Sequence, residues 1–93
     1  MSITPQNLVR HELMGLEVEV KDSKNRSQIG LKGRVVEETY STLTIETDKG
    51  EKKLPKDIAI FIFKLPNGTK VQVDGKVLIG RPEDRIKKKL PRW

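Results

Sequence analysis

Six apolar residues in succession, Ile58-Ala59-Ile60-Phe61-Ile62-Phe63, stand between Asp57 and Lys64 in a chain of 93 residues whose apolar content is only 34%. A run of that length bounded by charges reads as a β-strand. Successive strand residues point to opposite faces of a sheet, so a strand with one wet face alternates apolar with polar. Here Ile58, Ile60 and Ile62 take one face and Ala59, Phe61 and Phe63 the other, which predicts cover on both. The doubling recurs at residues 70–79. A tight hairpin at Asp74-Gly75 would pair Val73 with Lys76 and Val71 with Leu78, leaving Val77 and Ile79 on the second face. A bent barrel with a helix or a partner packed outside accommodates both stretches.

Turn chemistry orders the rest of the chain. Asp48-Lys49-Gly50, Asn67-Gly68 and Asp74-Gly75 are hairpin signals. In the first, glycine supplies a positive φ, and Asn-Gly is a type I′ signature. Strand-like runs at 16–21, 29–38, 42–47, 51–54, 58–65 and 70–79 give five to seven short strands, the last split if its turn forms. Gly30 and Gly33 within one run predict bulges or bends and a strongly curled strand. Short antiparallel strands of this kind favour a small closed or nearly closed barrel, because closure removes exposed edges. Ahead of them, Thr4 as N-cap, Pro5 at the first helical position and Gly15 as stop predict a short N-terminal helix. The expected organisation is a helical N-terminal extension over 1–15, a barrel over 16–80 and a basic extension over 81–93, helical or disordered.

No cysteine is present, which excludes disulfides and thiolate metal sites. No apolar stretch approaches the ~20 residues of a membrane span, and MSITPQNLVR lacks the order of a signal peptide, so a soluble cytoplasmic protein without a membrane partner is expected. The net charge of +6 points to a polyanionic partner. Most of it lies in residues 81–93, where Arg81, Arg85, Lys87, Lys88, Lys89 and Arg92 face only Glu83 and Asp84.

The catalytic inventory is poor. The single histidine, His11, has no nucleophile or orienting acid placed beside it. Glu37 and Glu38 alternate to opposite faces of a strand, and no zinc or calcium spacing occurs. A stand-alone metal nuclease using Glu37, Glu38 or Asp57 is therefore a minor reading, and no catalytic or metal-binding residue is assigned. The basic residues remain as the functional signal: Lys32 and Arg34 on one face beside a bend, Lys56 after Leu54-Pro55, Lys64 at the end of the apolar strand, and the tail. Collectively they suit a nucleic-acid backbone. Scarce aromatics argue for folded RNA over stacking on single strands.

The succession Ile3-Thr4-Pro5-Gln6-Asn7-Leu8, Gly30-Leu31-Lys32-Gly33-Arg34-Val35-Val36, Leu54-Pro55-Lys56, Phe61-Ile62-Phe63-Lys64-Leu65-Pro66 and Gly80-Arg81-Pro82-Glu83-Asp84-Arg85 resembles the archaeal ribonuclease P protein component 1 family, shared in eukaryotes by ribonucleases P and MRP. The resemblance spans almost the whole chain. It implies a mostly β fold, an Sm-like antiparallel barrel of about six strands with terminal extensions. It also implies a non-catalytic subunit of the ribonucleoprotein endonuclease that removes the 5′ leader of precursor tRNA, so the chain is enzymatic only within the holoenzyme. In that family the RNA subunit carries out the Mg²⁺-dependent hydrolysis, and this chain would bind no cofactor. The implied partners are ribonuclease P RNA near its specificity domain, a small zinc-binding protein subunit and, indirectly, precursor tRNA. Carried onto this sequence, the RNA-facing residues are Lys32, Arg34, Lys56, Lys64, Arg81, Arg85, Lys87, Lys88 and Lys89, and the protein-facing ones are Leu8, Val9 and Leu13. The rival reading is a generic Sm-like protein-interaction or RNA-binding module outside ribonuclease P.

Overall fold

The computed structural model describes Leu8 and residues 13–80. Six strands account for most of that span: β1 Glu17–Ser23, β2 Lys32–Glu38, β3 Thr42–Thr47, β4 Gly50–Pro55, β5 Ala59–Lys64 and β6 Lys70–Asp74. They form one antiparallel sheet in the order β4-β3-β2-β1-β5-β6. No helix among the described residues is long and apolar enough to cross a membrane.

Alternation sets which face each strand buries. Val18 and Val20 of β1 point inward while Glu17 and Glu19 point out, and Phe61 and Phe63 of β5 join them in the core with ring centroids 5.9 Å apart. Val35, Leu43, Ile45, Leu54, Val73 and Leu78 are part of the same interior. The sheet bends where extra residues break the register, at Lys21 in β1 and Val36 in β2. Bulges of this kind bend a strand and increase its twist. Gly33 serves a close approach instead: a Cβ there would stand 2.2 Å from the Glu46 carbonyl oxygen on β3.

The six expected strands are present, but the sheet does not close. Among the described residues β4 and β6 remain as edges with no ladder between them. The seam is bridged by the residues that follow each edge strand. Gly75, just past β6, lies against Lys56, just past β4, so closely that a Cβ would stand 1.7 Å from the Lys56 carbonyl oxygen. On the same side, the Lys56 N–H donates to the Ser41 carbonyl at 2.8 Å and the Gly80 N–H to that of Tyr40 at 2.7 Å.

Two of the three expected turns take other forms. Asp48-Lys49 does join β3 to β4, with Gly50 at φ +109°. At Asn67-Gly68 only the glycine has a positive φ, so the turn is not type I′. The Gly68 N–H donates to the Leu65 carbonyl, and a five-residue loop places Lys70 opposite Lys64. At Asp74-Gly75 there is no hairpin. The Asp74 side chain accepts from the Lys76 N–H at 3.0 Å and caps a short 3₁₀ turn over Gly75–Leu78, which drops Leu78 into the core.

The apolar run of β5 is resolved by strand order. Ala59, Phe61 and Phe63 fill the interior, while Ile60 and Ile62 are half-buried outside. Ile62 lies between Glu19 of β1 and Gln72 of β6, and Lys21 donates across β5 to Gln72 at 2.7 Å. Among the described residues the outer face is flanked by these side chains, with no second layer.

Leu8 and Leu13 differ from expectation. Both are fully buried in the chain's own core, because the sheet needs apolar cover that the strands do not supply. They are therefore not protein-facing residues. Val9, the remainder of the predicted N-terminal helix and the basic extension over 81–93 lie outside the described residues.

Two substitutions test this packing by urea unfolding of the full chain. Leu13→Ala should destabilise the isolated protein by about 2–5 kcal/mol, and a neutral result would return Leu13 to the surface. Gly75→Ala should cost at least about 1–3 kcal/mol through overpacking against Lys56. An unchanged midpoint would mean that the seam is looser than described.

Candidate nucleic-acid interface

Antiparallel register collects charges from distant parts of the sequence into one row on the outer face. Through successive cross-strand pairs the row reads Glu51 (β4), Glu46 (β3), Arg34 (β2), Glu17 (β1), Lys64 (β5), Lys70 (β6). The next row places Lys32 beside Glu19. Between these rows lies an open groove of ≈ 530 Å³ whose basic side chains are Lys32, Arg34, Lys64 and Lys70.

Arg34 donates through Nη1 to the Gly15 carbonyl at 2.7 Å and through Nη2 to Glu17 Oε1 at 3.4 Å. Lys64 Nζ stands 3.9 Å from Glu17 Oε2. All three side chains are more than half exposed, and exposed pairs of this kind contribute only ~0–1 kcal/mol. These cations remain able to exchange a carboxylate for a stronger anion.

The structure thus brings Lys32, Arg34 and Lys64 together and adds Lys70, which sequence reasoning missed. Lys56 does not belong with them. Its side chain is fully buried, with Nζ donating to Glu38 Oε2 at 2.8 Å and to the carbonyls of Thr39 at 2.8 Å and Gly80 at 3.0 Å; the Tyr40 carbonyl lies at 3.4 Å. An ammonium enclosed in this way cannot reach an RNA phosphate, so its assignment to the RNA face is corrected. Arg81, Arg85, Lys87, Lys88 and Lys89 lie outside the described residues.

The acidic candidates for metal-dependent cleavage are not assembled either. The Glu38 side chain is 1% exposed and paired with Lys56, whereas Glu37 is exposed. Among the described residues no three His, Cys, Asp or Glu side chains converge to hold a metal ion.

Comparison with known proteins gives this face a context. The sequence model of the family described as ribonuclease P/MRP, subunit p29, matches residues 6–88. The chain belongs to that family. A p29-family relative from Methanocaldococcus jannaschii, named ribonuclease P protein component 1, is 58% identical over 89 residues, covering 95% of this chain and 93% of the relative. Another of that name, from Thermofilum pendens, is 47% identical over 94 residues and spans 100% of both chains. A solved structure described as Mth11, a homologue of human RNase P protein Rpp29, matches with a TM-score of 0.59 and 51% identity, covering 82% of this chain and 99% of that one.

In this p29-family chain the structural role of the buried Lys56–Glu38 pair is open to a direct test. Lys56→Met leaves the Glu38 carboxylate buried without its cation, and breaking a buried pair from one side costs about 3–5 kcal/mol. The expected result is a large drop in the denaturation midpoint with RNA affinity retained by the folded fraction. A variant as stable as the parent but deficient in RNA binding would restore Lys56 to the interface.

Proposed function

We propose that this chain is a non-catalytic, RNA-binding subunit of ribonuclease P, the ribonucleoprotein that removes the 5′ leader of precursor tRNA. The observation that carries the reading is the match to ribonuclease P protein component 1 over 95% of this chain and 93% of the Methanocaldococcus jannaschii relative. A face bearing Lys32, Arg34, Lys64 and Lys70 supports RNA contact.

In this reading the protein supplies charge and shape, and the Mg²⁺-dependent hydrolysis belongs to the RNA subunit. The groove cations and the basic residues 81–92 meet phosphates of the folded RNA near its specificity domain. Phosphate contacts of this kind set affinity and its salt dependence more than they set sequence preference. A small zinc-binding protein subunit of the same particle is the protein partner, and precursor tRNA is engaged through the assembled complex. Such a subunit works in the cytoplasm.

Reconstitution tests the proposal. The protein alone should leave precursor tRNA intact, whereas adding it and its protein partner to the cognate RNA should lower the Mg²⁺ needed for cleavage. No effect on cleavage would defeat the reading, and cleavage by RNA-free protein would replace it with a nuclease. Neutralising Lys87, Lys88 and Lys89 together should flatten the logarithmic salt dependence of RNA binding by about 2–3; an unchanged slope would remove the tail from the RNA site.

A further inference from the structure

The charged row across the sheet is not uniform. At one end Glu46 and Glu51 are directly opposed across the β3–β4 ladder, and at the other Lys64 and Lys70 are directly opposed across the β5–β6 ladder. Like charges in such positions repel. Glu17 is the carboxylate beside Lys64, at 3.9 Å, and it is shared with Arg34 at 3.4 Å. Among the described residues Lys70 makes no ion pair, and it is exposed. The β5–β6 end therefore holds more cationic charge than its own carboxylate offsets.

Opposed residues on antiparallel strands have Cα atoms about 4.5–5.5 Å apart, and a lysine stem is long enough for both ammonium groups to converge on one anion above the ladder. We infer that Lys64 and Lys70 form a phosphate clamp for an RNA backbone, with Glu17 as the counter-ion that the phosphate displaces. Arg34, released from Glu17 but still held by the Gly15 carbonyl, turns a second donor towards the same strand. Glu46 and Glu51 repel phosphate from the β3–β4 end, so the backbone runs along the β5–β6 side and does not cross the whole sheet.

This clamp rests on the RNA-binding reading above and makes a narrower claim. The test is a salt series of dissociation constants for the full chain with an in vitro transcript of Methanocaldococcus jannaschii ribonuclease P RNA, alongside thermal unfolding of each variant. Lys70→Gln should weaken binding roughly three- to tenfold and lower the salt slope by about one, with no loss of thermal stability, because it removes a like-charge pair. Glu17→Gln should tighten binding, and that gain should vanish when Lys64 and Lys70 are both glutamine. A parent that binds with strong salt dependence while Lys70→Gln matches it in affinity and slope would overturn the clamp and leave the RNA-binding reading standing. Weaker binding by Glu17→Gln would overturn the counter-ion role. Absence of salt-sensitive binding by the parent would overturn the RNA-binding reading and the clamp together.

Discussion

A buried lysine holds this fold at the place where strand pairing fails. The Lys56 ammonium, wholly removed from water, joins the end of β2 through Glu38, the β2–β3 turn through Thr39, and the segment after β6 through Gly80. Glu38 uses its other oxygen to accept from the Leu13 N–H at 3.4 Å. Desolvating two charges costs several kcal/mol each, repaid only when the geometry is close and the remaining donors are satisfied. The short contacts of Nζ to Glu38, Thr39 and Gly80 meet that condition. Edges β4 and β6, which no ladder joins, are thereby kept in register at one end of the sheet.

The outer face depends on that rigidity. A curved sheet with fixed register holds Glu17 between Arg34 and Lys64 and sets Lys70 opposite Lys64. The two kinds of ion pair serve opposite ends. The enclosed Lys56–Glu38 pair specifies shape, and neither partner can be exchanged without leaving a buried charge. The exposed Glu17 pairs are weak because water and salt screen them, so they do little to fix the positions of the side chains that make them.

Much of the β architecture was legible in the sequence because alternation and turn chemistry are local. Leu16 to Lys21 and Thr42 to Thr47 read directly as strands, and Gly50 takes the positive φ expected of it. Errors arose where a local signal had two outcomes. Asn67-Gly68 suits a two-residue type I′ loop, which would set Lys64 opposite Val71 and Lys70 opposite Leu65. The longer loop actually formed shifts that pairing by one residue and turns Lys70 to the charged face, since side chains alternate with period two. Asp74-Gly75 likewise reads as a hairpin, but Gly75 is needed for its closeness to Lys56, a contact between residues nineteen positions apart in the chain.

The sequence alone determined the strands, the basic balance, the absence of thiol chemistry and the family resemblance, all of which follow from residue identity and short-range spacing. Tertiary structure decided which charges are enclosed and which stand exposed on the outer face of the sheet. Lys56 and Lys64 are alike as lysines beside apolar stretches, yet one is enclosed by carbonyls and a carboxylate while the other stands in the groove. The difference comes from which strands meet across the seam and in what register. That is settled by long-range packing of the core and by satisfaction of buried polar groups, neither of which is written in any local pattern.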